Sequence, residues 1–155
     1  MLDTLKSFLK DLTKGDVKKH GYQEDDTRLA AAALLFHIIA VDGTVEDVEI
    51  AALNDTLKQH YHLDDSQTKE LIEQAKERDE ESVDLYGFTS VLKRELDEQE
   101  RLTIIEMMWK MVYADGSVHE FEDNTIWRVA ELLGVSSRDR MDLKHKVAQS
   151  YAKGR

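Results

Sequence analysis

The chain has no cysteine, no proline and only seven glycines in 155 residues. Without cysteine there can be neither a disulfide framework nor a thiolate metal site. Without proline, and with glycine scarce, little interrupts a helix from within, and good helix formers dominate the remainder. That combination predicts an all-α protein with short connections. Long apolar runs are missing too. The longest, residues 29–41, is thirteen residues and contains His37; a membrane span needs roughly twenty. It is therefore expected to be a core helix, and the chain is not expected to be transmembrane. Met1-Leu2-Asp3-Thr4-Leu5-Lys6 carries charge from the outset and does not look like a secretory signal, so the expected compartment is the cytoplasm. Positive charge is the scarcer sign, with 21 Lys and Arg against 32 Asp and Glu, a net −11. An acidic surface repels phosphate backbones, which argues against nucleic acid as a partner.

What is present is a duplication. Ile39-Ala40-Val41-Asp42-Gly43-Thr44-Val45-Glu46-Asp47-Val48-Glu49-Ile50 returns, seventy-three residues on, as Val112-Tyr113-Ala114-Asp115-Gly116-Ser117-Val118-His119-Glu120-Phe121-Glu122-Asp123. Asp-Gly, a hydroxyl residue, Val and a distal Glu come back in register, each time after an apolar stretch. Self-similarity at a fixed spacing marks a duplicated supersecondary unit.

Periodicity then lays out the chain. Leu2, Leu5, Phe8, Leu9 and Leu12 follow helical spacing and predict a short amphipathic helix over residues 1–12. Docking on the body is the first reading of this stripe. Lys6 and Lys10 on its flank allow peripheral membrane contact as the second. Residues 13–28 read as a linker, and residues 29–152 as the helical domain. Within it, repeat 1 takes 29–78, a connecting helix 84–97 and repeat 2 100–152. Residues 29–41 and 102–114 are apolar nearly all round, as befits helices surrounded by others. Each ends at Asp-Gly, where glycine can close a helix. Thr44 and Ser117 are then expected as N-caps, Ser117 with Glu120 as a capping box and Thr44 with Asp47 as a weaker one. The second helices, 45–61 and 118–133, are expected to bury Val48, Ala52, Leu53 and Leu57, then Phe121, Ile126, Val129, Ala130 and Leu133. Third helices follow over 65–78 and 136–152, with a one-residue register shift near His62. The sum is a single compact all-α domain of about seven to eight helices with an internal pseudo-two-fold repeat.

The acids of the repeat are Asp42 and Glu49, then Asp115 and Glu122. Asp42 and Asp115 end helices, where the dipole disfavours negative charge by ~0.3–1 kcal/mol. One reading is structural: each aspartate turns to the free N–H groups of the next helix. The other is that the carboxylates converge on a cation. Two carboxylates ~4 Å apart repel by about 4 kcal/mol at an effective dielectric near 20, whereas a cap contributes only ~1 kcal/mol. Converging acids therefore need a metal ion or a raised pKa. All-oxygen ligands suit Ca²⁺ or Mg²⁺. His119, which replaces Glu46 in the second copy, lies between Asp115 and Glu122 and could adapt the site to Zn²⁺, although a histidine in a first helical turn is more often solvated.

Other constellations are weaker. The loop is not an EF-hand, and there is no H-E-x-x-H, no Glu-x-x-His pair, no phosphate loop and no G-x-S-x-G. A hydrolase using Asp42 and Glu122 as paired carboxylates is a further alternative. His60 and His62 beside Asp64 and Asp65 form a poor metal cluster. His37, matched by Lys110 in the other copy, is expected to reach the surface. Trp109, Trp127, Tyr113 and Phe121 are expected in the core, and Asp79-Glu80-Glu81 in a solvated turn.

At the two elbows the chain resembles the TerB family of tellurite-resistance proteins, which also occurs as a domain at the front of some membrane-anchored J-proteins. The likeness is carried by Leu29-Ala30-Ala31-Ala32-Ala33-Leu34, by Ala40-Val41-Asp42-Gly43 on to Glu49, and by Trp109 with Tyr113-Ala114-Asp115-Gly116-Ser117-Val118-His119-Glu120-Phe121-Glu122. It covers roughly residues 29–150 and is nearest to bacterial members outside the plasmid-borne resistance proteins. The resemblance implies an all-helical fold with a pseudo-two-fold and chelation of a divalent metal by Asp42, Glu49, Asp115 and Glu122. It also implies a cytoplasmic protein partner of membrane-associated or stress-response complexes, without catalytic activity. His119 breaks the symmetry of the acids and leaves Ca²⁺, Mg²⁺ and Zn²⁺ all open. A helical adaptor whose acids only cap helices remains the structural alternative.

Overall fold

The computed structural model describes residues 22–23, 26–41, 45–82, 84–114, 118 and 120–153. The amphipathic helix expected over 1–12 lies outside them, as do most of the linker and Asp42, Asp115 and His119 of the elbows. Among the described residues seven helices follow one another: α1 Thr27–Ala40, α2 Asp47–Tyr61, α3 Asp65–Glu81, α4 Tyr86–Glu95, α5 Glu98–Tyr113, α6 Glu120–Leu133 and α7 Ser137–Lys153. There is no strand among the described residues, and no described helix is long and apolar enough to cross a membrane.

The helix boundaries carry the sequence duplication. Offsets of 73 residues relate the end of α1 to that of α5 and the start of α2 to that of α6; 72 relates α3 to α7. The shift arises because α2 has 15 residues and α6 has 14. Both then make the same bend. Leu63 N–H donates back to Lys58 O at 3.0 Å, and Val135 N–H to Ala130 O at 2.8 Å. The residue between bond and helix is left-handed in each case, Gly134 at φ 76° and His62 at φ 54°. Glycine enters that region freely, whereas histidine is strained there.

The core is built around α1. Its residues from Leu29 to Phe36, with Ile38 and Ile39, are all buried, because α3, α4 and α5 pack on it from different sides and α2 and α6 touch it as well. α5 plays the matching part against α7. On α5, Trp109 is fully buried and its Nε1–H donates to Arg140 O at 3.1 Å. Lys144 Nζ sits 5.1 Å from the Trp109 ring centroid.

Aspartates start three of the helices. Asp26 accepts the Arg28 N–H at 2.8 Å. Asp64 forms a reciprocal box with Gln67 (2.7 and 3.0 Å) and Asp97 another with Glu100 (2.8 and 3.1 Å). These bonds satisfy N–H groups that a helix start leaves unpaired. Tyr22, placed by the sequence in the linker, is anchored: it is 8% exposed, accepts at its backbone from Gln74 and donates its hydroxyl to Gln67 O.

Several expectations are corrected. α2 begins at Asp47, with Glu46 and not Thr44 as its N-cap residue. The second expected box, Ser117 with Glu120, rests on a residue outside the described set. Asp79-Glu80-Glu81 is the last turn of α3, not a solvated turn between helices. Trp109 and Tyr113 pack in or against the core, but Phe121 is 64% exposed, Trp127 48% and Val48 49%.

Candidate functional site

The buried stripe of α2 is Glu49, Leu53 and Leu57, and that of α6 is Glu122, Ile126, Val129, Ala130 and Leu133. These positions recur at i, i+4 and i+8, one face of a helix. A glutamate therefore heads each stripe. Glu49 is 3% exposed and Glu122 2%. Each is the third residue of its helix, and the two occupy the same register of the sequence repeat. Taking a carboxylate out of water is costly unless partners compensate, so buried charges are paired or bind metal. Both glutamates have partners within the protein. One is clear: Glu49 Oε1 accepts the backbone N–H of Glu46 at 2.9 Å. That bond uses one of about four acceptor positions of an ionised carboxylate.

Of the predicted metal ligands, Glu49 and Glu122 are thus placed in the protein interior, while Asp42, Asp115 and His119 lie outside the described residues. Among the described residues, no three histidines or carboxylates lie close enough to share a cation. This applies to the His60–Asp65 cluster, whose members are engaged elsewhere. His60 packs edge-on against Tyr61, with ring centroids 4.6 Å apart. Asp64 caps α3, Asp65 pairs with Lys58, and His62 forms the left-handed bend. The chemistry of the elbow set nevertheless suits a hard cation. Carboxylate oxygens make up the whole set apart from His119, and two of them are held where water is excluded.

A second feature was not foreseen. Phe121 and Trp127 on α6 border a groove of about 460 Å³ with His37, Asp79 and Leu85. His37 Nδ1 meets Asp79 Oδ1 at 2.7 Å, tying α1 to the last turn of α3. Val48 and Phe121 stand one residue before the buried glutamates and are both exposed. The signal was in the sequence. Once glutamate is accepted as the head of the buried stripe, the residue before it is rotated about 100° toward solvent.

Fold and acids together define a class: an all-helical domain in which two helices, α2 and α6, each bury a glutamate in the first turn. The chain belongs to the TerB family; the family model described as tellurite resistance protein TerB matches residues 28–145. No match was found among curated proteins. Among solved structures, the chain is similar to the protein of unknown function PG1108 from Porphyromonas gingivalis W83. The TM-score is 0.60 at 12% identity, covering 83% of this chain and 97% of that one. At that identity the likeness speaks for the fold alone.

Proposed function

We propose that the protein is a non-enzymatic, cytoplasmic bacterial module with a pseudo-two-fold, which binds a divalent cation through Asp42, Glu49, Asp115 and Glu122. His119 would join them if the ion is Zn²⁺. In this reading the domain serves as a protein-interaction component of a stress-response or membrane-associated complex. The supporting observation is the burial of Glu49 and Glu122 at equivalent places in their helices, 3% and 2% exposed, each seven residues after an Asp-Gly aspartate in the sequence. Both glutamates already have partners in the protein; a cation, when bound, would add to them and offset part of the cost of holding each carboxylate out of water. The same burial screens Glu122 from a substrate and weighs against the paired-carboxylate hydrolase.

Calorimetric titration of chelator-treated protein with Ca²⁺, Mg²⁺, Mn²⁺ and Zn²⁺ tests the proposal. Heat and a raised melting temperature are expected with at least one ion, and both should be lost in Glu49→Gln and Glu122→Gln. No heat and no thermal shift with any of the four removes the cation. The capping alternative is favoured by the 2.9 Å bond from Glu46 N–H to Glu49. It requires Glu49→Gln to alter stability by about 1 kcal/mol or less whether or not metal is present.

A further inference from the structure

The exposed side of α6 has an order of its own. At about 100° per residue, the direction opposite the buried stripe of Glu122, Ile126, Val129, Ala130 and Leu133 falls on Asn124. Phe121 and Trp127, 64% and 48% exposed, lie three residues before and after it, roughly 60° to either flank. Glu120 and Arg128, both exposed, lie four residues before and after it, roughly 40° to either flank. Among the described residues neither of these two joins an ion pair, although Arg128 shares the groove with Asp79 and Asp84. About Asn124, then, an aromatic balances an aromatic and a base balances an acid.

Such a face is complementary to itself. In an antiparallel pair of α6 helices related by a two-fold at Asn124, residues equally far from Asn124 on its two sides stand at one level. Phe121 is then level with Trp127 of the second copy, and Glu120 with Arg128. Arg128 also shares a flank with Phe121 of the second copy, where a guanidinium can lie over the ring. Glu131 falls beyond the start of the second helix and opposes no charge on it. The groove of about 460 Å³ along this face gives the incoming side chains a recess. The duplicated helix supplies the contrast. On α2 the positions 73 residues earlier are Asp47, Val48, Ala51, Asn54 and Asp55. The same pairing there would set Asp47 against Asp55, like charge on like, with no aromatic on either flank.

We propose that α6 is a homodimer interface, in which two copies of the chain pack their α6 helices antiparallel across a two-fold at Asn124. Each chain carries a net −11, which opposes the approach at long range. At physiological ionic strength that repulsion is screened over about 8 Å, and the matched groups at the contact decide the outcome. The inference uses none of the elbow acids, so it and the cation reading fail independently.

Analytical ultracentrifugation of the full chain over a dilution series is expected to show a monomer–dimer equilibrium. Trp127→Ala should weaken it by about 30-fold or more, as truncating a central interface tryptophan does. Arg128→Glu should weaken it by roughly tenfold or more, because like charges then stand at one level, and adding Glu120→Arg should restore it. The altered side chains are exposed, so far-UV circular dichroism should not change. The absence of cysteine permits a geometric check. In helices packed roughly 8–10 Å apart, Cα atoms on the two-fold approach to about 5 Å, a separation that a disulfide spans. Asn124→Cys should therefore oxidise to a covalent dimer, whereas Ala51→Cys should not. A chain that stays monomeric at every concentration overturns the proposal and leaves the face to a partner of another kind. A dimer also overturns it if Arg128→Glu leaves the affinity unchanged or the charge swap fails to restore it. So does cross-linking that fails at Asn124→Cys or proceeds as fast at Ala51→Cys.

Discussion

Single residues hold the bends and starts of this fold, and two of them give measurable contrasts. His62 occupies in the first unit the left-handed position that Gly134 occupies in the second. His62→Gly should raise stability by about 1 kcal/mol and Gly134→Ala should lower it by a similar amount, as read from urea unfolding midpoints. Asp26 provides the second contrast. Burial pushes its carboxyl pKa up, but hydrogen bonds from the Arg28 side chain and backbone outweigh this and hold it below 3.8. A folded-state pKa below the unfolded one adds stability above the unfolded value, and that stability is lost as pH falls through the folded value. Asn caps as well as Asp does, so Asp26→Asn isolates the charge. The variant should be less stable by a few tenths to about 1 kcal/mol at neutral pH, and the gap should close once the pH is below the lowered pKa.

At the scale of helices, sequence periodicity was a good guide wherever the apolar face was wide. The starts of α3 and α7 follow from their cap residues, and α1 follows from its apolar run. It was a poorer guide on α2 and α6, where hydrophobicity alone assigned Val48 and Phe121 to the core. The true stripe is headed by a glutamate, and a rule that places apolar residues inside and charged ones outside inverts that turn. Tyr22 was misplaced for a related reason. Its anchor is a side chain on α3, Gln74, fifty-two residues away, and no local pattern reveals such a partner. Half of the elbow acids could be located and half fall on residues outside the described set. On α4 the contrast between the two sides is open to measurement. Leu92 is fully buried and Tyr86 is 64% exposed. Leu92→Ala should cost ~2–5 kcal/mol, whereas Tyr86→Ala should stay within about 0.5 kcal/mol, both by thermal or urea denaturation.

For the whole molecule, the two units are not separable. α1 belongs to the first and packs on α5 of the second, and α4 touches both α1 and α6. Removing either unit would strip apolar surface from the other. Equilibrium unfolding should therefore show a single transition, with coincident curves by far-UV circular dichroism and by Trp109 fluorescence. Two resolved transitions would mean that the units fold separately. Refolding should also lack the phase of tens of seconds that prolyl isomerisation imposes, since the chain has no proline.

Of the four consecutive alanines at the heart of α1, Ala31, Ala32 and Ala33 are each 0% exposed. Consecutive positions on a helix point in three different directions, so neighbouring helices close on this turn from several sides at once. Methyl groups act there as spacers that set how near those neighbours can come. Enlarging any of them to valine or leucine would wedge the bundle apart by an amount that rotamer changes cannot absorb, at ~1–3 kcal/mol each. The tolerance of this protein to variation is thus lopsided: its rim can accept bulk, while its axis admits almost nothing larger than what is already there.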